Sequence, residues 1–397
     1  MRIAFLTDKS VPFFVGGYET RVYELARRLA THNEVRVFTS LNQPTAVVEG
    51  VRFERVAPLT FQRDASGARS LAHSTLFSVA LLVDHLTEFD PDVLVVEAIP
   101  YLHLALMRGW VRHARAVLLV DVLEAWDRFA YTDLPILGLL SRTTIRHCLA
   151  TGLRWADGAL AISGATANSL ITNYGVDPDK VSVIPLGLTA SPTRPAAGES
   201  AAEYDVITVS RLVGSKRIED LVQALGCLKD DHGWTGRAVI VGSGPLRAPL
   251  EEDVRRRGLE SQVRFSGFVT DSVRAQLLSR SRVFVLPSER EGFSLATLEA
   301  MGEGVPAVVA RPGLDEVFGP GDFIRDGVNG MVYPVGNPTE LADRILVLLT
   351  QPNLRNRFSA SARESAADYS WDTITSRLEA LMETLRLRKD SRLPPAS

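Results

Sequence analysis

Cysteines, histidines and phosphate-binding glycine loops are scarce in this sequence. Its 397 residues include two cysteines, Cys148 and Cys227, which lie far apart. This spacing argues against a disulfide framework and favours a reducing compartment. The seven histidines form no cluster with the spacing of metal ligands. No Gly-x-x-x-x-Gly-Lys-Ser/Thr segment is present, which argues against a phosphate loop of the nucleoside triphosphatase type.

Long apolar runs and an excess of positive charge are also lacking. The most lipid-like run, residues 76–83, is closed by Asp84 and is too short to span a bilayer. The N-terminal apolar run reaches Asp8 and Lys9 too soon for a signal peptide. The net charge of -3 argues against a nucleic-acid partner. A cytoplasmic protein is therefore expected, which leaves peripheral membrane contact open.

Short β-branched strands alternate with amphipathic helices along the whole chain. Residues 3–7 and 205–210 each begin such a series, and a long helix is predicted over 70–88. This alternation predicts parallel sheets that are covered on both faces. Residues 189–203, reading TASPTRPAAGESAAE, have the small, polar, proline-bearing composition of a linker.

The predicted fold class is therefore α/β, with two Rossmann-like doubly wound domains facing each other across a cleft. The predicted domains are residues 1–188 and 204–370, joined by the linker. The final segment, 371–397, is predicted to be a helix that packs back on the N-terminal domain, followed by a tail. Ligands of such sheets bind beyond the carboxyl ends of the strands.

One stretch, residues 287–306, follows the pattern of a strand, a turn and a helix. The preceding residues 283–286 are an apolar β-branched run, typical of a buried strand. Leu295, Leu298 and Met301 then recur at helical spacing. The free N–H groups at the start of such a helix, and its dipole, favour an anion in the turn.

Two carboxylates, Glu291 and Glu299, lie beside this predicted anion site. They would repel a bare phosphate. A ligand with phosphate in its middle and hydroxyl-rich groups on either side fits the pattern, and a sugar nucleotide has that form. On its own, however, a Glu pair of this spacing is usually a surface pair.

Three further features follow strands at the same edge of the predicted second sheet. They are the cations Arg211 and Lys216, the glycines Gly242 and Gly244, and the pair Gly267 and Phe268. The cations can bind a diphosphate, the glycines allow close approach of a ligand, and the backbone after the third strand could cover a base. Each alone has an ordinary explanation as a solvated cation or a plain turn. Their joint position favours one shared ligand.

The sequence resembles the retaining GT-B glycosyltransferases, specifically glycosyltransferase family 4. In the C-terminal half the resemblance rests on VSRLVGSKRIEDLVQAL, VIVGSGP, VRFSGFV, EGFSLATLEAMGEGVP and DGVNGMVYPVGNPTELA. In the N-terminal half it rests on Gly16-Gly17 followed by Glu19, HNEVRVFTS, ALAISGATANSL and VSVIPLG. It runs over most of the chain and is most specific between Glu291 and Glu299.

The resemblance implies a role for each matched residue. Arg211 and Lys216 hold the donor diphosphate, Glu291 faces the donor sugar or its phosphate, and Glu299 accepts hydrogen bonds from the ribose. The backbone of the motif completes the phosphate site, and the N-terminal glycines lie across the cleft, near sugar and acceptor. The remaining residues implied in donor binding are Gly16, Gly17, Gly242, Gly244, Gly267, Phe268, Gly292, Phe293, Ser294, Leu295 and Ala296.

Two positions depart from the family pattern. Leu186-Gly187 stands where Asn-Gly is usual, and Asp121 stands where many members have a histidine. Asp121 either takes over a catalytic role, by holding a sugar hydroxyl or stabilising positive charge, or it caps the next helix. Both interpretations stay open at this point.

Two segments, Asp90-Pro91-Asp92 and Asp177-Pro178-Asp179, have the Asp-x-Asp spacing of metal-dependent glycosyltransferases. The adjacent prolines make turn formation the simpler explanation. The resemblance also implies that no metal or other cofactor is needed.

The predicted function is transfer of a hexose, with retention, from a UDP- or GDP-sugar to a glycan, lipid-linked or small-molecule acceptor. Alternatives are a nucleotide-sugar epimerase or hydrolase on the same scaffold, or a non-catalytic nucleotide-sugar binding protein. A lipid contact could involve the apolar and basic residues Leu137, Leu140, Arg142 and Arg146, which are more often a core face and its solvated flank.

Overall fold

The computed structural model describes residues 1–13, 17–58, 71–80, 86–107, 115–123, 135–189, 202–311 and 318–391. The chain divides into two compact units. Unit 1 holds Met1–Gly187 and Trp371–Ser397, and unit 2 holds Leu188–Ser370. Most of the predicted linker, residues 190–201, lies outside the described residues.

The described part of unit 1 contains an eight-stranded sheet in the order β3-β4-β2-β1-β5-β6-β7-β8. Its pairs are parallel except β3 with β4. The strand order runs outward from β1 and β5 in opposite directions, so the topological switch point lies between them. The strands are β1 (Arg2–Leu6), β2 (Glu34–Ser40), β3 (Thr45–Val48), β4 (Val51–Ala57), β5 (Val93–Glu97), β6 (Val117–Val122), β7 (Gly158–Ala161) and β8 (Val181–Val183).

Helices pack on this sheet and bury its apolar strands. They are α1 (Gly17–Leu29), α2 (Leu71–Ala80), α3 (Leu102–Leu106), α4 (Pro135–Trp155) and α5 (Gly164–Tyr174). The helix predicted over 70–88 is too long at its end, because residues 86–88 are not helical and 81–85 lie outside the described residues. In α4, the Arg146 side chain donates to the Asn173 carbonyl at 3.0 Å. The side chains of residues 135–142 are outside the described part.

The last helix of the chain, α12 (Trp371–Asp390), belongs to unit 1. The buried ring of Trp371 lies where a side chain at Gly187 would be, since a Cβ there would come 2.5 Å from Cδ2 of the indole. Lys389 pairs with Asp157 at 2.7 Å near the far end of the helix. Both ends of α12 are therefore anchored on unit 1.

Unit 2 contains a six-stranded parallel sheet in its described part, in the order β11-β10-β9-β12-β13-β14. Its topological switch point lies between β9 and β12. The strands are β9 (Tyr204–Val209), β10 (Ala238–Val241), β11 (Val263–Gly267), β12 (Ser281–Leu286), β13 (Ala307–Arg311) and β14 (Gly330–Pro334). The helices are α6 (Ile218–His232), α7 (Arg247–Arg256), α8 (Asp271–Ser279), α9 (Leu295–Gly302), α10 (Pro338–Thr350) and α11 (Pro352–Ala367).

Each unit has its own hydrophobic core. The central strands are near-continuous apolar runs because helices cover both faces of a parallel sheet. Val283, Phe284 and Val285 of β12, for example, are all fully buried. Tight packing of this kind fixes where each strand ends, and so fixes the loops at the switch point of unit 2.

Candidate active site

The loops after β9 and β12 are hydrogen-bonded to each other at the switch point of unit 2. The backbone N–H of Glu289 donates to the Ser215 carbonyl at 3.0 Å. The loop after β10 joins them, because the Leu212 N–H donates to the Ser243 carbonyl at 2.9 Å. These bonds bring together three of the four features that the sequence analysis placed at one edge of the sheet.

Lys216 and Glu291 form an ion pair between these loops. The distance from Lys216 Nζ to Glu291 Oε1 is 2.5 Å, and both side chains are largely buried. The Ser288 hydroxyl donates to the same carboxylate oxygen at 3.0 Å. The two residues predicted to hold phosphate and sugar therefore also hold each other in place.

Arg211 lies just after β9 and is exposed. Within the described ranges its guanidinium has no ion-pair partner. Its backbone is fixed, because the Arg211 carbonyl accepts from the Val213 N–H at 3.1 Å. A fixed backbone and an uncommitted guanidinium suit a residue that binds an incoming anion.

The start of helix α9 leaves backbone donors unused by the helix itself. Its first i→i−4 bond runs from the Leu298 N–H to the Ser294 carbonyl, at 3.2 Å. Ser294 is the N-cap, and its hydroxyl accepts from the Thr297 N–H at 3.4 Å. The N–H groups of Leu295 and Ala296 therefore have no i→i−4 acceptor within the helix. Together with the helix dipole they favour an anion at this position.

Ser294 has φ 74° and ψ 77°, a left-handed conformation that is unusual for a residue with a side chain. Backbone strain of this kind concentrates at functional sites. The conformation is held because the hydroxyl of Ser294 also bonds the Thr297 hydroxyl at 2.7 Å.

Phe293 does not present its ring to the site. The ring is buried and packs against Phe323 and Tyr369, with centroids 5.2 Å and 5.9 Å away. Gly292 is equally confined, since a Cβ on Gly319 would come 2.0 Å from the Gly292 carbonyl oxygen. The Phe293 side chain, which is expected in donor binding, therefore anchors the loop, and contact of Gly292 and Phe293 with a ligand is left to their backbone.

The two glycines after β10 are required by contacts within the chain, in addition to the ligand approach that the sequence suggested. A Cβ on Gly242 would come 1.8 Å from the Ser210 carbonyl oxygen, and one on Gly244 would come 2.3 Å from that of Leu212. The close approach that the structure shows is between two loops of the chain. The loop carrying Arg211 rests directly on these glycines.

Gly267 and Phe268 follow β11. Gly267 has φ 69°, and its carbonyl accepts from the Gly242 N–H at 2.8 Å. The Phe268 side chain is 77% exposed. A large apolar ring presented to solvent beside the site can stack on a planar group.

Glu299 has a partner that the sequence analysis missed. Arg274 of helix α8 places Nη2 at 2.7 Å from Glu299 Oε1. Burial raises the pKa of the Glu299 carboxyl above its ordinary value, and the charge of Arg274 opposes this rise. The two residues are 25 positions apart, so no helical spacing could have linked them.

Asp121 is buried and is paired with Arg21. Both its oxygens accept from the buried guanidinium of Arg21, Oδ2 from Nε at 2.8 Å and Oδ1 from Nη2 at 3.3 Å. Arg21 also donates to the Pro185 carbonyl at 2.5 Å. Asp121 therefore serves as the counterion of Arg21, a role that neither interpretation of the sequence included. Arg21 lies four residues before Leu25, on the apolar face of α1. This helical spacing would have predicted that Arg21 is buried.

The N-terminal glycines give little further information. Gly16 lies outside the described residues, and Gly17 is the first residue of α1. The switch point of unit 1 carries polar groups instead. The buried Thr7 donates to Glu97 Oε2 at 2.6 Å, and Asp8 and Lys9 follow, also buried. No motif in the sequence pointed to a role for these residues.

The two Asp-x-Asp segments make structural hydrogen bonds, one to the start of β1 and one within a local turn. Asp92 accepts from the Arg2 N–H at 2.6 Å, and Asp177 accepts from the Asp179 N–H at 3.1 Å. Among the residues that the structure describes, no group of three or more His, Cys, Asp or Glu side chains could hold a metal ion. No described helix combines the length and the apolar character needed to cross a membrane.

Comparison with known families shows the family of the chain. The family described as Glycosyltransferase Family 4 matches residues 15–191, and Glycosyl transferases group 1 matches residues 192–365. The chain belongs to glycosyltransferase family 4. Its two Rossmann-like α/β units are the GT-B architecture, so the predicted family and fold class are confirmed.

Individual members of family 4 and solved GT-B structures resemble the chain at lower identity. A D-inositol 3-phosphate glycosyltransferase of Streptomyces bingchenggensis is 28% identical over 234 residues, which cover 55% of this chain. The match spans 50% of that relative, about half its length. The structure of sucrose-phosphate synthase from Thermosynechococcus elongatus superposes with a TM-score of 0.78 at 20% identity, covering 98% of this chain and 99% of that one. The structure of HepE from Anabaena, solved with UDP and glucose, superposes with a TM-score of 0.72 at 20% identity. The match covers 97% of this chain and 100% of HepE.

Proposed function

We propose that this chain is a metal-independent hexosyltransferase that moves a sugar from a UDP- or GDP-sugar to an acceptor, with retention of configuration. The observation that carries the proposal is the convergence at the switch point of unit 2. There, the loop that carries Arg211 and Lys216 is hydrogen-bonded to the loop after β12, and Lys216 pairs with Glu291, a few residues before the start of helix α9. A diphosphate flanked by hydroxyl-bearing groups matches that arrangement of charge.

Arg211, Lys216 and the N–H groups of Leu295 and Ala296 would bind the diphosphate. When the bond to the sugar breaks, negative charge develops on the leaving phosphate, and donors placed there in advance lower the barrier. Lys216 has three N–H donors, so it can keep its bond to Glu291 and still donate to phosphate. These groups supply the positive charge that a metal ion would otherwise supply.

The carboxylates would bind hydroxyl groups on either side of the diphosphate. Glu299 would accept from the ribose, and Glu291 would lie toward the donor sugar. The exposed ring of Phe268 is suited to stack on the base. HepE was solved with UDP and glucose, which supports a uridine nucleotide as the first donor to test.

The acceptor would be bound by unit 1, whose switch point carries Thr7, Asp8, Lys9 and Glu97. A glycan, a lipid-linked sugar or a small polyol all present hydroxyls to such polar groups. The Streptomyces bingchenggensis relative is named for transfer to an inositol phosphate. This supports testing small polyols as acceptors beside glycans and lipid-linked sugars.

The test is turnover of Arg211→Ala and Lys216→Ala, measured as nucleoside diphosphate released from a panel of UDP- and GDP-sugars with pooled acceptors. We expect a loss on the order of 10²–10³-fold in each, the usual effect of removing a donor that stabilises developing charge. The matched control is Arg256→Ala, which removes an exposed cation paired with Asp253 on α7. Full turnover in Arg211→Ala or Lys216→Ala would contradict the proposal.

Two further measurements address retention and metal. The anomeric coupling of the product, read by NMR, should match that of the donor sugar. Turnover should persist in excess chelator. An inverted product would reject the retaining reaction, and loss of turnover that returns on adding a divalent cation would reject metal independence.

A further inference from the structure

Arg274 connects helix α8 to the donor site. Its Nη2 lies 2.7 Å from Glu299 Oε1, and its Nη1 lies 3.0 Å from Asp271 Oδ1. Asp271 is one turn earlier on the same helix, and its side chain is 89% exposed. Arg274 is therefore held on its own helix by one carboxylate and reaches across to another.

Only one oxygen of Glu299 is engaged by the described residues. Oε1 takes the bond from Arg274, whereas Oε2 has no partner among them. A carboxylate that is free to rotate must lose that freedom when it binds a diol. Here the guanidinium already fixes the carboxylate, so that Oε2 is available in one orientation.

The other charges around Glu299 oppose its ionisation. Asp271 and Glu303 both raise the pKa of the Glu299 carboxyl, as burial does. Arg363 of helix α11 contacts the carbonyl oxygen of Glu303, at 3.3 Å. Arg274 is thus the cation that directly pairs with Glu299. Without it, a largely buried carboxylate would face two negative groups.

We propose that Arg274 is a positioning residue of the donor site, which fixes one oxygen of Glu299 so that the other oxygen accepts the ribose hydroxyls. The inference rests on the proposed function, because the ribose of a nucleotide is the group assigned to Glu299. It adds a residue, on a different helix, that acts through Glu299 without contact with the donor.

The test compares Arg274→Met, Arg274→Lys and the control Arg256→Met by calorimetric titration with UDP. Arg256 forms an exposed ion pair with Asp253 one turn earlier on α7, so its loss matches the removal of a helix-surface guanidinium. We expect UDP affinity to fall about tenfold in Arg274→Met, the lower range for loss of a residue that orients a binding group. Arg274→Lys should recover part of the loss, and the control should bind as the wild type does.

The pH dependence separates positioning from general damage. Loss of Arg274 raises the pKa of Glu299 further, so more of it is protonated as pH falls, and a protonated carboxyl binds the diol less well. The affinity ratio of wild type to Arg274→Met should therefore be larger at about pH 6 than at about pH 8. The diphosphate of UDP also titrates in this range, but it does so equally for every variant, so the affinity ratio of wild type to the control Arg256→Met should not change with pH.

Two more readouts test the path through Glu299. The preference for UDP over 2′-deoxy-UDP should shrink toward one in Arg274→Met. In addition, the double variant Arg274→Met/Glu299→Gln should bind no more weakly than Glu299→Gln alone, because both changes remove the same interaction. Thermal melting is recorded first, and Arg274→Gln replaces the methionine variant if that one does not fold.

The outcomes are distinguishable. If wild-type protein binds UDP and Arg274→Met binds it equally at both pH values, this inference is overturned and the proposed function stands. Additive losses in the double variant also overturn it. If wild-type protein binds none of UDP, GDP and ADP, the proposed function fails and the inference fails with it.

Discussion

At the scale of single residues, the ion pair of Arg21 and Asp121 has the largest predicted effect. The side chains are 0% and 2% exposed, so each charge depends on the other for compensation. Replacing Asp121 with Asn leaves the Arg21 guanidinium buried without a counterion. Breaking such a pair costs about 3–5 kcal/mol.

We therefore expect Asp121→Asn to lower the free energy of unfolding by about that amount, measured by urea denaturation. Asp90→Asn is the matched control, because Asp90 pairs with Arg2 at an exposed site and should change stability by less than about 1 kcal/mol. Unchanged stability in Asp121→Asn, with turnover lost, would instead favour the catalytic role that the resemblance left open.

At the scale of elements, the donor site depends on how closely three loops approach one another. Gly242 has φ 136°, and a Cβ there would come 1.8 Å from the Ser210 carbonyl oxygen. Because the clash is with backbone atoms, a side chain at position 242 would force the loop after β9 to move. Arg211 follows directly in that loop and must move with it.

Gly242→Ala should therefore destabilise the protein by about 2 kcal/mol or more and also weaken nucleotide binding, by about tenfold. Gly233→Ala is the control: its φ of 62° is also positive, in the left-handed region that Ala enters at modest cost, and a Cβ there meets nothing within 4 Å. That variant should lose about 1 kcal/mol of stability and keep its affinity. Equal affinities in the two variants would show that the loop contact does not position Arg211.

The elements themselves could largely be predicted from local signals. Strand β12 reads as a buried apolar run and α9 as a helix from Leu295, because periodicity and turn residues are local. The partners of Glu299 and Asp121 could not be predicted, because each pair joins residues that are distant in sequence. Strand β3, which pairs with the adjacent β4, was also not predicted. The resemblance assigned Phe293 to donor binding, whereas the burial of its ring depends on packing against Phe323 and Tyr369, which no local signal indicates.

At the scale of the whole molecule, the two cores imply two cooperative parts. Each unit has its own sheet and its own buried cluster, the usual requirement for separate unfolding transitions. All the residues proposed to bind the nucleotide, apart from the N-terminal glycines, lie in unit 2. Because a ligand stabilises only what it binds, a nucleotide should act mainly on the transition of unit 2.

We expect differential scanning calorimetry to show that UDP or GDP at about a hundred times its Kd adds about 2.7 kcal/mol to the stability of unit 2. For a unit of this size that corresponds to a rise in Tm of about 5–10 °C, with a smaller change in the transition of unit 1. Lys216→Ala should abolish most of the rise, because it removes a diphosphate donor, and Arg256→Ala should keep it. A nucleotide that shifts the transition of unit 1 alone would place the binding site in the other domain and contradict the assignment made for Arg211, Lys216 and Glu299.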